Sequence, residues 1–228
     1  MSTIPNPISN EEQEADDPES RFVDITRIIP GLYLGNITAS YHLPTLQQHN
    51  ITALVSIIET PHPRWTTPQF HSQIPPSDNP QDTHHLIIPA FDSPTQDLLL
   101  HFQTICDFID AHLSAERNVL VHCVAGVSRS PTAVTAYLMR KWGKGVDKTL
   151  AYVIGKRKCV RPSGNFLGQL GVWEEVGWEV WEGEDGDGGR KAKGAYRDFV
   201  LRLKGRGGGG MGVEGGKRME GGKRRGRR

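Results

Sequence analysis

Residues with the chemistry of a covalent catalyst lie together in the stretch VHCVAGVSRSPT, residues 121–132. Cys123 directly follows the apolar run NVLVH, which is typical of a buried strand, and Arg129 and Ser130 come at the start of the helical pattern SPTAVTAYLMRKW. A short loop between a strand and a helix turns its backbone N–H groups, together with the positive end of the helix, toward one point. The spacing therefore predicts a cradle for a tetrahedral oxyanion with a sulfur atom at its base.

The same loop favours the ionised form of the cysteine. Inward N–H groups, the helix end and the guanidinium of Arg129 all stabilise a thiolate, so Cys123 is expected to be ionised at neutral pH. Gly126 allows a close approach of the backbone, and Arg129 can grip two oxygens of an anion. A thiolate beneath a bound phosphate is aligned for in-line attack on phosphorus. The residues thus predict phosphoryl transfer through a cysteinyl-phosphate intermediate and not acyl transfer.

The stretch HCVAGVSRS resembles the signature loop of the cysteine-based protein tyrosine phosphatases, and the small size of the domain is similar to that of their dual-specificity branch. Further resemblance lies in PGLYLGNITAS, IIPAFD, the AYV of DKTLAYVIGKRK and RPSGNFLGQL. Together these segments extend over residues 22–170. On them the chain resembles a small atypical dual-specificity protein phosphatase.

The resemblance implies roles for individual residues. Cys123 would be the nucleophile, Arg129 the clamp on the phosphate, and Ser130 the hydrogen-bond donor that helps the sulfur to leave in the second step. His122 would support the loop behind Cys123. The resemblance also implies that the substrate phosphate is bound by the amides of Val124, Ala125, Gly126, Val127, Ser128 and Arg129.

A general acid is needed as well, because expelling an alkoxide is difficult without a proton. Asp92, in the loop after HHLIIPA, matches the general acid of the family, and Asp97 and Asp82 are the alternatives by order along the chain. We expect activity to peak at mildly acidic pH. Protonation of Cys123 would limit it on the acidic side, and loss of the proton of Asp92 on the basic side.

Two features depart from the pattern of the family. After the helix that follows the signature the family usually has Pro-Asn, whereas this chain reads Pro162-Ser163-Gly164, with an asparagine only at Asn165. Ser163 and Asn165 are therefore the candidates for supporting the signature loop. The second departure is a Pro-rich insertion at residues 59–83, which we expect to be a long surface loop without regular structure that could wall or cover the site.

The surrounding pattern predicts an α/β domain. Apolar runs such as ITALVSII and NVLVH are typical of strands buried on both faces, and amphipathic segments alternate with them. We expect a small, largely parallel central sheet flanked by helices, with the phosphate-binding loop between a strand and a helix, in one domain over residues 21–182. An acidic arm at 1–20 and a Gly-, Lys- and Arg-rich tail at 183–228 are expected to be disordered.

Composition and charge indicate the cellular compartment of this domain and whether it binds a metal. The net charge is +1, from 27 Lys and Arg against 26 Asp and Glu, yet the acidic residues crowd the start and the basic ones the end. The start lacks the order of a secretory signal, and no run reaches the roughly 18 apolar residues of a membrane helix. Three cysteines without a CxxC spacing favour a reducing compartment, hence a cytoplasmic or nuclear location. No cofactor is expected, and no metal, because the spacings of His62, His71, His84 and His85 match no common ligand set.

The expected function is hydrolysis of phosphotyrosine and of phosphoserine or phosphothreonine on proteins. An enzyme acting on phosphoinositides or on the 5′ end of RNA would use the same loop, although Val124, Ala125 and Val127 bring no extra lysine. A phosphoprotein-binding module is the third alternative, but such relatives normally lack the nucleophile. The basic tail is a candidate for weak contact with nucleic acid or an anionic surface. Cys159 is a candidate for a protective disulfide with Cys123 on oxidation.

Overall fold

The computed structural model describes residues 17–77, 83–184 and 189–207, and a five-stranded sheet runs through its centre. The strands are β1 (Ile25–Ile29), β2 (Leu32–Gly35), β3 (Ile51–Ile58), β4 (His85–Pro89) and β5 (Asn118–His122). Their order across the sheet is β1-β2-β5-β3-β4. All neighbouring strands pair in parallel except β1 and β2, which are antiparallel.

Helices cover both faces of this sheet. They are α1 (Leu43–Gln48), α2 (Pro68–Gln73), α3 (Phe102–Ser114), α4 (Arg129–Trp142), α5 (Val146–Lys156), α6 (Gly164–Glu175) and α7 (Gly194–Gly207). A two-stranded antiparallel ribbon, β6 (Trp181–Glu184) with β7 (Arg190–Ala192), comes between α6 and α7. Within the described ranges, every helix is too short or too polar to cross a membrane. The prediction of a small, largely parallel sheet flanked by helices is confirmed.

Strand β3 explains the layering. Its eight residues are almost entirely apolar, and alternate side chains of a strand point to opposite faces of the sheet. Ala53, Val55 and Ile57 belong to a larger core with α3 to α7, whereas Leu54 and Ile58 belong to a smaller core with α1 and α2. A strand with helices on both faces has to be apolar throughout, and this is why the run ITALVSII does not alternate.

The central strand β5 carries the cysteine loop. Val119 and Val121 pack in the larger core and Leu120 in the smaller one, while β2 and β3 pair with its two edges. The strand ends at His122, and Cys123 is the next residue. In open α/β sheets, ligands bind beyond the carboxyl ends of the strands. Cys123 therefore lies at the edge of the sheet where a site is expected.

The Pro-rich segment at residues 59–83 is not the irregular surface loop that we expected. A 3-10 turn and α2 form within it, and Trp65, Phe70 and Ile74 are buried in the smaller core. Each of the two helical elements has a proline in its first positions. Proline is tolerated there because the N–H that it lacks would have no helical partner. The prolines thus begin short helices in a segment where we expected them to prevent regular structure.

The expected arm at residues 1–20 is anchored before it reaches β1. A ring nitrogen of His42 lies 2.5 Å from a carboxylate oxygen of Asp17, and Glu19 forms an ion pair with Arg64. Both partners favour the charged carboxylate, so they lower the pKa of Asp17 and of Glu19. The prediction of disorder is therefore wrong for the last residues of the arm.

The ordered part of the chain also continues past residue 182, where we expected a disordered tail. The ribbon and α7 form, and Tyr196, Phe199 and Leu203 of α7 are buried in the larger core. Their spacing places them on one helical face. Because many glycines and charged residues surround this apolar face, the composition of the segment does not indicate it. The remainder lies outside the described residues, namely 1–16, 78–82 with Asp82, 185–188, and 208–228 with the basic tail.

Candidate active site

Cys123 lies at the base of the loop between β5 and α4. The residue is 2% exposed, and the hydroxyl of Ser130 donates a hydrogen bond to its Sγ over 3.2 Å. Ser130 is the second residue of α4, so the sulfur lies beside the first turn of that helix. The N-terminal end of a helix stabilises negative charge. The sulfur therefore lies at the positive end of α4, where a bound anion would also be stabilised.

The loop after Cys123 turns its carbonyl groups outward, where other parts of the chain donate to them. These hydrogen bonds run from the amide of Ile37 to Val124 (3.1 Å), from Nε of Arg157 to Gly126 (3.1 Å) and from the amide of Arg161 to Val127 (2.8 Å). In a trans peptide unit the N–H points away from the C=O. The amides that follow these carbonyls, those of Ala125, Val127 and Ser128, therefore face the inside of the loop. These three are among the six amides that the sequence predicts to bind the phosphate.

Gly126 and Arg157 hold the loop in this shape. Gly126 has φ +67°, and a Cβ at this position would lie 2.6 Å from the carbonyl oxygen of Gly35. Arg157 is 4% exposed and binds the carboxylate of Asp24 with two nitrogens, at 2.5 and 2.7 Å, while its Nε supports Gly126. Sequence analysis missed Arg157, because nothing in KRK marks one of three basic residues as buried.

Arg129 is the first residue of α4 and is 5% exposed. Its Nη1 donates to a carboxylate oxygen of Glu59 at 2.8 Å and to the carbonyl of Ala90 at 2.9 Å. Its Nε is buried and has no hydrogen-bond partner in the described parts of the chain. Glu59 was not predicted. It follows β3 directly, and the carboxyl ends of the parallel strands β3 and β5 lie at the same edge of the sheet, a signal that could have pointed to it.

Asp92 lies on the loop between β4 and α3, at the rim of the site. Its side chain is 38% exposed, and Oδ1 accepts a hydrogen bond from the hydroxyl of Ser128 at 3.1 Å. Its other carboxylate oxygen lies 4.0 Å from Nε of Arg129. The structure thus brings the predicted acid to the cysteine loop, and its exposure leaves it accessible to a leaving group.

Of the two alternative acids, Asp97 is held away from the cysteine loop. Asp97 accepts hydrogen bonds from the amide of Leu100 at 3.1 Å and from the hydroxyl of Tyr196 at 2.8 Å. Both carboxylate oxygens of Asp97 are therefore engaged by groups of α7 and of the turn before α3. Asp82 lies outside the described residues.

Ser163 and Asn165 support two different loops. The amide of Ser163 donates to the hydroxyl oxygen of Ser128 at 3.3 Å, while its own hydroxyl caps α6. Contact with the signature loop thus comes from the backbone of Ser163 and not from its side chain. Asn165 donates from Nδ2 to the carbonyls of Ser93 at 3.1 Å and Gln96 at 2.8 Å. It therefore holds the loop of Asp92, not the signature loop.

His122 supports the loop from behind through a buried hydrogen-bonded chain. One ring nitrogen lies 3.4 Å from the carbonyl of Cys123, and the other lies 2.5 Å from the hydroxyl of Ser56, which is 2.7 Å from His85. The ring of Trp65 packs edge-on against His122. Burial lowers the pKa of His122 to about 3 and the pKa of His85 to about 4. Both rings are neutral at physiological pH.

The three cysteines are free thiols in the structure. Cys106 is buried on α3, and burial raises its pKa to about 12, so it packs as an inert apolar residue. Cys159 is exposed whereas Cys123 is buried. A disulfide between these two on oxidation stays a prediction.

Comparison with known proteins agrees with this geometry. Residues 32–176 match the family described as "Dual specificity phosphatase, catalytic domain". Dual specificity protein phosphatase 22-B of Danio rerio is 37% identical over 146 residues, which cover 64% of this chain and 72% of that protein. Serine/threonine/tyrosine-interacting protein of Homo sapiens is 32% identical over 155 residues, which cover 67% of this chain and 66% of that protein.

The solved structures give the same picture. The crystal structure of DUSP15 is similar with a TM-score of 0.56 at 31% identity, and the match covers 80% of this chain and 96% of that one. The chain spans between 38% and 66% of the length of several curated relatives that it matches. The family match includes β2 to α6 and the whole cysteine loop. The chain therefore belongs to the dual specificity phosphatase family.

Proposed function

We propose that this protein is a phosphatase that hydrolyses phosphotyrosine and phosphoserine or phosphothreonine on proteins, through a cysteinyl-phosphate intermediate. The observation that carries the proposal is the sulfur of Cys123, buried beneath inward-facing amides and in contact with the hydroxyl of Ser130. A phosphate monoester carries two negative charges, and such a ring of donors at a helix N-terminus favours its binding. The buried Nε of Arg129, which has no hydrogen-bond partner among the described residues, is a further donor for a phosphate oxygen.

In the first step the thiolate of Cys123 attacks phosphorus, and a sulfur–phosphorus bond forms as the bond to the ester oxygen breaks. The departing oxygen takes a proton from the carboxylic acid of Asp92, which becomes a carboxylate. Arg129 and the loop amides donate to the equatorial oxygens, on which negative charge is spread in the transition state. The alcohol or phenol of the substrate is released.

In the second step water attacks the phosphorus of the intermediate. The carboxylate of Asp92 takes a proton from this water, and the sulfur–phosphorus bond breaks to release phosphate and the thiolate. The hydroxyl of Ser130, at 3.2 Å from the sulfur, donates to the leaving thiolate. The two steps together return the proton to Asp92 and the sulfur to its thiolate, so the cycle balances without a cofactor.

The experiment that tests the proposal is turnover of an aryl phosphate by the full chain and by the Cys123→Ser variant. We expect turnover by the wild type, loss of turnover in the variant, and a phosphorylated Cys123 in the wild type after an acid quench, identified by mass spectrometry. Cys159→Ser is the matched control, because Cys159 is an exposed thiol, and it should keep full activity. Equal turnover by wild type and Cys123→Ser would contradict the proposal.

A phosphoprotein-binding module is the second candidate, because one relative is named for interaction with serine, threonine and tyrosine. The presence of Cys123 with a hydroxyl donor on its sulfur favours catalysis over binding alone. A protein that binds phosphopeptides tightly but turns over no aryl phosphate would support the binding module. Parallel assays with phosphoinositides and with RNA carrying a 5′ phosphate test the two remaining substrate classes.

A further inference from the structure

The loop that carries Asp92 is fastened to α6 at its far end by one buried glutamine. Gln169 is fully buried, and its Oε1 accepts hydrogen bonds from the amides of Leu98 at 2.8 Å and Leu99 at 2.7 Å. Its Nε2 donates to the carbonyl of Gln96 at 2.7 Å. The end of the loop next to α3 is therefore fixed by side-chain contacts that reach across the molecule.

Gln96 connects this fixed end to the residue before the acid. Its side-chain oxygen accepts from the amide of Phe91 at 2.9 Å, and its carbonyl also accepts from Asn165 at 2.8 Å. Asp92 follows Phe91 directly. A shift of Gln96 would therefore be transmitted through its hydrogen bond to Phe91 to the backbone of Asp92.

A hydroxyl of helix α7 contacts the same segment. Tyr196 is 4% exposed and donates to Oδ2 of Asp97 at 2.8 Å. The other oxygen of Asp97 accepts from the amide of Leu100 at 3.1 Å, so the carboxylate bridges α7 and the turn before α3. Asp97 lies between Gln96 and Leu98, two of the three residues to which Gln169 is hydrogen-bonded.

Packing fixes the ring of Tyr196, so that its hydroxyl can hold Asp97 in place. It packs nearly perpendicular to the ring of Trp181, with 5.8 Å between centroids, and Phe199 and Leu203 anchor the same helix in the larger core. Burial and the negative charge of Asp97 raise the pKa of Tyr196, so the hydroxyl remains a donor over the working range of pH.

We propose that Tyr196 is a positioning residue for the general acid, which holds Asp97 and thereby the loop that presents Asp92 to the leaving group. The inference rests on the proposed phosphatase function. It also assigns a role to α7, which lies beyond residue 176, where the match to the family ends. On this view the ribbon and α7 belong to the catalytic unit.

The test compares Tyr196→Phe with the matched control Tyr137→Phe. The hydroxyl of Tyr137 also donates to a carboxylate, that of Asp110 at 2.9 Å, but between α4 and α3. Each variant is assayed on two aryl phosphates, one with a good leaving group and one with a poor one. Only the poor leaving group needs a well-placed acid.

For Tyr196→Phe we expect kcat on the poor leaving group to fall about 10-fold, the order of effect for a misplaced proton donor, with a change of less than about 2-fold on the good one. Tyr137→Phe should leave the ratio of the two rates at the value of the wild type. Asp97→Asn changes the other partner of the bond and should reproduce the altered ratio, and the double variant should add little to it. An unchanged ratio in Tyr196→Phe would overturn the proposal.

Amide hydrogen exchange separates this proposal from the proposed function. If the wild type turned over neither ester, the phosphatase assignment would fail. The effect of the hydrogen bond between Tyr196 and Asp97 would still be measurable in the amide exchange of residues 91–100. Tyr196→Phe should speed exchange there, at Leu100 above all, and Tyr137→Phe should not. Equal exchange in all three proteins would overturn the positioning role of Tyr196, whatever the activity.

Discussion

The hydroxyl of Ser130 donates a hydrogen bond to the sulfur of Cys123 over 3.2 Å, and both side chains are buried. A donor to an ionised group is worth about 1.5–3 kcal/mol. The bond matters most when sulfur leaves phosphorus as a thiolate, in the second step of the proposed reaction. The contact therefore concerns the breakdown of the intermediate more than its formation.

Ser130→Ala is expected to slow breakdown of the phosphorylated enzyme. We expect kcat to fall roughly 10- to 100-fold, the equivalent of one hydrogen bond to a charged group, while the first turnover remains fast. Stopped-flow measurement of phenol release should then show a burst equal to the enzyme concentration. Thr135→Val is the control, since it removes a buried hydroxyl of α4 that donates only to the carbonyl of Pro131. A steady rate without a burst, at the kcat of the wild type, would contradict the role of Ser130.

Asp92→Asn is expected to remove the proton donor and keep the shape of the side chain. Turnover of a poor leaving group should fall by about 10²- to 10⁴-fold, the usual contribution of general acid catalysis, and turnover of a good leaving group far less. The decline of activity on the basic side of the pH profile should also disappear. The measurement is kcat against pH for both esters. If the poor leaving group is hydrolysed as fast as before, the acid is another residue.

Gly126→Ala is expected to destabilise the fold as well as the loop. Alanine at φ +67° costs about 1–2 kcal/mol in the left-handed region, and its Cβ would lie 2.6 Å from the carbonyl oxygen of Gly35. Gly143→Ala is the matched control, because Gly143 has φ +61° but, apart from its own neighbouring backbone, no atom of the described residues lies within 4 Å of the added Cβ. Urea unfolding should show a larger loss of stability for Gly126→Ala, by roughly another 1–3 kcal/mol of steric overlap. Equal losses would mean that Gly35 moves away at no cost.

The parts of the site that are local in the sequence could be predicted from it. Cys123, Gly126 and Arg129 lie within seven positions of each other, so the order of strand, loop and helix fixes their neighbourhood. The sheet could be predicted for a similar reason, since runs such as ITALVSII show their double burial directly. Predicting Asp92 required the resemblance to the family as well, because the distance of Asp92 from the cysteine loop depends on how β4 pairs with β3.

The supporting contacts could not be predicted, because they join residues far apart in the chain. Glu59 and Arg129 are 70 positions apart, and Ser56 and His122 are 66 positions apart. Nothing in the composition of the Pro-rich segment indicates that Trp65 packs against His122. Helix α7 was missed for another reason, since three buried side chains are enough to anchor a helix whose other residues resemble a disordered tail.

The neutral pair of His85 and His122 predicts that stability falls as the pH falls below about 6.5. Burial lowers the pKa of these residues to about 4 and about 3, whereas in the unfolded chain both would titrate near 6.5. Between these values only the unfolded state binds the protons. Each residue therefore lowers the free energy of unfolding by about 1.4 kcal/mol for every unit by which the pH falls. Above pH 7 the two residues contribute no slope. Urea unfolding at pH 7.5, 6.0 and 5.0 measures the effect.

His85→Gln separates the two residues, because glutamine can still donate to the hydroxyl of Ser56 but does not titrate. The variant should lose about half of the slope between pH 6 and pH 5 and keep the part due to His122. His71→Gln is the matched control for the substitution itself, since His71 lies on α2 and outside the hydrogen-bonded chain of Ser56. If His85→Gln keeps the full slope of the wild type, His85 does not stay neutral in the folded protein and the slope has another origin.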